Sequence, residues 1–201
     1  MRACRPFLFI VCVLGAVLCG CASTPTADQI KAAFDAGLKD YDSGNYEAAY
    51  QKWKTIEDVD VAAMRNIAIM LRKGEGVAKN PKAAEAMMEQ AADAGLVTAQ
   101  ADLGEMLLDG EAGTPDPKAA AQWLAEAAQA GHPIAALRLG VLYEQGNGVK
   151  KDIDAARKLY KQAAAAGLKE AEDRLKTLPP EPAPAAQVVA APLGPPPALR
   201  H

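Results

Sequence analysis

Apolar and polar positions alternate with a helical period along one long stretch of the chain. Ala63, Ile67, Met70 and Leu71 share one face of a helix predicted from about Ala62 to Lys73. Gly74-Glu75-Gly76-Val77 interrupts it as a turn. Asn80-Pro81 then opens a second helix: asparagine caps a helix start, and proline at the first helical position forfeits no hydrogen bond. That helix closes at Gly95, because glycine accepts the left-handed conformation that ends a helix. The whole pattern then returns. Gly110-Glu111-Ala112-Gly113 and Gly146-Asn147-Gly148-Val149 repeat the turn, Asp116-Pro117 and Asp152-Ile153 repeat the start, and Gly131 and Gly167 repeat the close, each 36 residues after its predecessor. A fixed period of this length marks a stack of helix pairs, none able to bury its apolar face alone. The spacing makes Ala83, Ala119 and Ala155 the points of close helix approach. Met87, Trp123 and Leu159, four residues on, are expected to fill the space between the helices.

Leu103-Gly104, Tyr143 with Gly146-x-Gly148-Val149, Asp152 and the Ala-Ala-x-x-Gly endings resemble the Sel-1-like repeat, a longer-loop relative of the tetratricopeptide repeat. The resemblance covers 61–168 and implies an all-α fold, a right-handed α-solenoid of antiparallel helix pairs. Two positions depart from the pattern. Gly113 replaces valine beside an extra Pro115 in the middle unit, which leaves its loop geometry open, and Ala68 stands where later units have glycine.

Four segments flank the array. Residues 28–60 read as a divergent tetratricopeptide-like unit, with Ser43-Gly44-Asn45 as its turn and Ala49 and Trp53 spaced like Ala119 and Trp123. Residues 169–178 repeat half a unit, with Ala171 and Leu175 on the dry face of a charged capping helix. Residues 179–201 hold eight prolines and almost no charge, a composition expected to stay extended and disordered. An inert tail, a ligand for another domain and a reach toward the cell wall are all open to it. Residues 1–20 form an export signal: Arg2 and Arg5 precede an apolar run from Phe7 to Leu18, too short to span a bilayer.

Leu18-Cys19-Gly20-Cys21 resembles the lipobox of bacterial lipoproteins, which implies lipidation of Cys21 and a lipidated tether over 21–27. An ordinary secretory signal, or cleavage before Cys19, is the competing reading. Ala22 after the lipid cysteine favours, by resemblance to enteric lipoproteins, the outer membrane facing the periplasm. All four cysteines lie at or before Cys21, so the repeats have none for disulfides or thiolate chemistry. Some secreted members of the Sel-1-like family staple each repeat with a disulfide; this chain relies on packing.

Charge and chemistry narrow the function classes. Without Arg2 and Arg5 the chain carries a formal charge of −5, and no basic stripe suggests nucleic acid. The serines are Ser23 and Ser43 and the histidines His132 and His201, and none forms a nucleophile–base motif. The Gly-x-Gly turns lack the strand, lysine and hydroxyl of phosphate loops. No catalytic residues, metal ligands, cofactor or small-molecule substrate are therefore expected. The resemblance implies an adaptor: a lipid-anchored scaffold binding protein partners of the bacterial cell envelope. An envelope enzyme, a peptidoglycan- or β-lactam-binding protein, and a spacer acting through the Pro-rich tail are the alternatives.

By the same resemblance, ligand-facing positions fall on the first helix of each unit. They are Arg65, Ile69 and Arg72; Ala101, Glu105 and Leu108; and Leu137, Val141 and Glu144. A groove basic toward its N-terminal end and apolar toward its C-terminal end follows. Leu137 and Val141 are open to a second role, packing against the neighbouring helix or the cap.

Overall fold

A computed structural model describes residues 24–180. The signal segment, Cys21 and all but the first two residues of the Pro-rich segment lie outside the described residues. Within them the chain forms helices and turns without a strand: α1 (Ala27–Asp42), α2 (Tyr46–Lys54), α3 (Val61–Lys73), α4 (Pro81–Asp93), α5 (Val97–Asp109), α6 (Pro117–Gln129), α7 (Pro133–Gln145), α8 (Ile153–Ala165) and α9 (Lys169–Thr177). The 36-residue period is exact in space as in sequence. First helices begin at 61, 97, 133 and 169 and second helices at 81, 117 and 153. Each helix packs on its neighbours in chain order, and α5 also touches α7, so the fold is an α-helical repeat solenoid.

The ends of the helices are set by the residues that predict them. Asn80, Asp116 and Asp152 each accept, through Oδ1, the N–H three residues on, at 3.1, 2.9 and 2.9 Å. Asp60 does the same for α3 at 2.8 Å. His132 is a cap as well: its Nδ1 accepts the Ala135 N–H at 3.2 Å. Gly131 closes α6 at φ +89°, and the next N–H, of His132, reaches back to the Ala127 carbonyl at 2.9 Å. This paired closure satisfies carbonyls that the helix end leaves free.

Between the helices of a pair, a large side chain enters the gap left by a small one. A Cβ on Gly104 would lie 2.6 Å from Leu124 Cγ, one on Gly140 2.6 Å from Tyr160 Cε1, and one on Gly37 2.3 Å from Trp53 Nε1. Fully buried Ala68 and Met88 hold the corresponding places in α3 and α4. The structure thus moves the expected packing by one residue. Ala84, Ala120 and Ala156, not Ala83, Ala119 and Ala155, sit at the close approach, and Met88, Leu124 and Tyr160 fill it. Met87 and Trp123 are only partly buried, on the core of the N-terminal units, and Leu159 on that of the C-terminal ones. Trp53 is therefore the counterpart of Leu124 rather than of Trp123.

The middle loop differs from the other two. Gly148, at φ +71°, lies so close to α6 that a Cβ would fall 2.3 Å from the Pro117 carbonyl carbon, and Gly76 meets α2 in the same way. Ala112 takes this place in the middle unit. There the chain turns earlier, Gly113 N–H bonding the Gly110 carbonyl at 3.0 Å, and Pro115 covers Gly110. The exit is nevertheless unchanged: the N–H groups of Asn80, Asp116 and Asp152 donate to the carbonyls of Leu71, Leu107 and Tyr143 at 2.8, 2.8 and 3.0 Å.

Among the described residues the last helix of the array is α9. Ala171 is fully buried and Leu175 partly buried against α8, while Lys176 occupies the position held by Gly140 one unit earlier. Its side chain is exposed and pairs with Asp173 at 2.8 Å. Arg157 Nη2 donates to the Pro179 carbonyl at 2.5 Å, which fixes the chain beyond α9 against α8.

Candidate functional site

The first helices α1, α3, α5, α7 and α9 stand side by side and form one continuous face. Charged side chains tie them together across unit boundaries. Arg65 of α3 meets Asp102 of α5 at 2.6 Å, Glu105 of α5 meets Arg138 of α7 at 3.0 Å, and Glu144 of α7 meets Arg174 of α9 at 3.3 Å. Arg72 reaches Glu111, just past α5, at 3.5 Å. Partly exposed pairs of this kind contribute little stability singly, but they fix the register of neighbouring units. Burial pushes the Asp102 carboxyl above the usual carboxylate range, and Arg65 pulls it part of the way back. Burial, reinforced by the 2.6 Å bond that Tyr160 donates to Glu144, also raises the Tyr160 hydroxyl well above its ordinary value.

The expected ligand-facing residues divide into three sets. Ile69, Leu108 and Val141 are half-buried and line open recesses or pack at their edges. Arg65, Arg72, Glu105 and Glu144 reach the face but are held in ion pairs, so the basic character expected toward the N-terminal end is neutralised by Asp102 and Glu111. Ala101 and Leu137 are each 4% exposed and belong to the core, which gives them a packing role and takes them off the face. They share a repeat position with Arg65: a short or apolar side chain there stays in the core, whereas the long Arg65 side chain reaches out to Asp102.

Two recesses open between neighbouring first helices on this face. One, of about 310 Å³, lies between α1 and α3, with Leu38, Tyr41 and Ile69 on its walls and Asp42, Asn66 and Lys73 at its rim. The other, of about 300 Å³, lies between α5 and α7, with Leu108 and Val141 on its walls and Asp109, Gln145 and Asn147 at its rim. Leu38 of α1, Asp102 and Arg138 have no place in the sequence reading. Asp102, Arg138 and Arg174 lie 36 residues apart, so this column was available to it.

Among the described residues, no group of His, Cys, Asp and Glu is placed to hold a metal ion, and no helix is long and apolar enough to cross a membrane.

The model of the Sel1 repeat family matches residues 61–96, 97–132 and 133–168, and the chain belongs to that family. A Sel1 repeat protein from Oxalobacter formigenes is similar to 71% of the chain at 34% identity, with a TM-score of 0.66. A protective antigen present in uropathogenic Escherichia coli strains is similar over 73% at 26% identity, with a TM-score of 0.68. The chain spans 58% and 32% of the lengths of these two proteins. Cysteine rich protein B of Helicobacter pylori, at 21% identity and a TM-score of 0.52 over 63% of this chain and 96% of its own, shares the fold. No curated protein matches the sequence. Sel1 repeats are in general scaffolds for protein–protein interaction.

Proposed function

We propose that the chain is a bacterial lipoprotein, anchored at Cys21 in the outer membrane and facing the periplasm, that presents the first-helix face to a protein partner of the cell envelope. The observation that carries the partner-binding part is the combination of satisfied charges and open apolar recesses. Ile69, Leu108 and Val141 keep partial exposure on a face whose ion pairs are already made internally. The anchor rests on Leu18-Cys19-Gly20-Cys21 after a short apolar run. Each buried methylene of an acyl chain contributes about 0.8 kcal/mol, so two or more chains hold a protein that one holds only marginally.

Two measurements test the parts separately. Labelled palmitate should enter the parent protein and not Cys21→Ala; equal labelling, or a parent that fractionates as soluble, overturns the anchor. A photo-crosslinking residue at Val141 should capture a discrete partner in cells, and one on the exposed second-helix position Gln122 should not. The opposite result moves the interface off the groove.

A further inference from the structure

The two recesses share three repeat positions in their linings. Aligning Gly37 with Gly104, each the seat of a large second-helix side chain, sets Tyr41 level with Leu108 and Asp42 level with Asp109. Across each recess, Ile69 and Val141 follow Ala68 and Gly140, which are likewise equivalent. Each recess therefore has one β-branched wall, one larger apolar wall and one carboxylate at its rim.

The charges around the recesses leave these two carboxylates over. At the first, Arg65 is matched by Asp102 and Lys73 by Glu75 at 3.6 Å, while Asp42 has no ion-pair partner among the described residues. At the second, Arg138 is matched by Glu105, and Asp109 has none. Each recess thus has two apolar walls and, once the paired charges are set aside, one carboxylate over. Between them runs the closed ridge of the Arg65–Asp102 and Glu105–Arg138 pairs, which has no charge to spare.

The rims also carry primary amides, Asn66 in one and Gln145 and Asn147 in the other. An amide both donates and accepts, which suits an extended chain with free N–H and C=O groups. A helical ligand has satisfied those groups internally. The recess centres lie two units apart, about 20 Å at the usual spacing of packed helices. An extended chain covers that distance in about six residues.

We propose that the groove recognises an extended peptide segment carrying two apolar–basic residue pairs about six positions apart, joined by an uncharged polar stretch. The apolar side chains enter the Tyr41/Ile69 and Leu108/Val141 recesses, the cations meet Asp42 and Asp109, and the linking stretch crosses the ion-paired ridge. This rests on the first-helix face being the partner-binding face.

The probe is a fluorescent peptide of about 14 residues with two Leu-Lys pairs about six positions apart in a Ser/Thr/Gly background, titrated by anisotropy against the full chain. Binding should weaken about tenfold for Asp42→Asn and for Asp109→Asn, both exposed positions, with helicity unchanged. It should weaken at least as much for a peptide with its pairs about three positions apart, and for one with Leu-Glu pairs. No binding below about 1 mM, indifference to the spacing, or equal binding of the Leu-Glu peptide overturns the proposal. If Val141 crosslinks a partner in cells while the peptides fail, the two-anchor rule falls and the groove stands. If the crosslinks map to the second helices, both fall.

Discussion

The ring of Tyr160 occupies the space where a side chain at Gly140 would begin: a Cβ there would fall 2.6 Å from Cε1 and 2.8 Å from Cδ1. The ring cannot retreat easily, because it is fully buried and its hydroxyl is held by Glu144 at 2.6 Å. Gly140→Ala should therefore cost about 1–3 kcal/mol through overpacking. Gly131→Ala meets nothing within 4 Å and is penalised only by its φ of +89°, a strain of about 1–2 kcal/mol. Thermal unfolding followed by circular dichroism checks both. The two mechanisms separate in the double variant Gly140→Ala/Tyr160→Phe, where loss of the hydroxyl tether should relieve part of the cost; no relief refutes the tether.

Tyr160→Phe alone should cost about 0.5–1.5 kcal/mol at neutral pH, the usual net contribution of a hydrogen bond. It should also change the alkaline limb of the stability curve. The folded hydroxyl titrates above its ordinary value of 10.0, owing to burial first and Glu144 second. Above pH 10 the unfolded chain releases this proton while the folded chain keeps it, so stability falls as pH rises, by up to about 1.4 kcal/mol per pH unit. Urea unfolding between pH 9 and 11 should show a shallower fall in Tyr160→Phe. Parallel curves would remove Tyr160 from the account.

Leu137 and Val141, one turn apart on α7, should respond differently to the same substitution. Leu137 is 4% exposed, so Leu137→Asp places a charge in the core and should cost at least about 3 kcal/mol, lowering the melting temperature by roughly 10 °C. Val141→Asp stays within about 1 kcal/mol of the parent, as substitutions at half-open positions do. It should instead abolish capture of the partner. A folded Leu137→Asp that still binds, or an unfolded Val141→Asp, would reverse the assignment of the two positions.

Gly148→Ala should be among the most damaging single-methyl changes in the array. Its Cβ would meet the Pro117 carbonyl at 2.3 Å, a backbone group that cannot swing aside, and its φ is +71°. A loss of at least about 2 kcal/mol is expected. The equivalent position in the middle unit already carries Ala112 on a rerouted loop, so Ala112→Gly should change stability by under about 1 kcal/mol. Equal effects at the two sites would mean that the loops are interchangeable.

The helix ends, the 36-residue period and the departure of the middle unit from the pattern were legible because each depends on local chemistry: a cap, a proline, a glycine with positive φ. The inner packing was legible only to within one residue. Ala83-Ala84, Ala119-Ala120 and Ala155-Ala156 are doublets, and Met87-Met88, Trp123-Leu124 and Leu159-Tyr160 are pairs of large apolar residues. Neighbours on a helix differ by about 100° in direction, and both members face something apolar in a stack buried on two sides. Spacing alone does not say which member meets Gly104 or Gly140. The face itself was harder to read for another reason. Whether Arg65 is a free cation depends on Asp102, 37 residues away, and that pairing exists only once the units are stacked.

Lys176 sets a limit that reaches beyond one molecule. An open solenoid has two ends of related shape, and head-to-tail association of copies through such ends grows into filaments rather than closing into a defined oligomer. Continuing the stack past α9 requires a second helix whose large side chain settles on residue 176, as Tyr160 settles on Gly140. A lysine there, charged and paired with Asp173, fills that seat with a side chain that is costly to desolvate. Head-to-tail growth through this end is therefore disfavoured, because an incoming helix would have to displace or bury that charge.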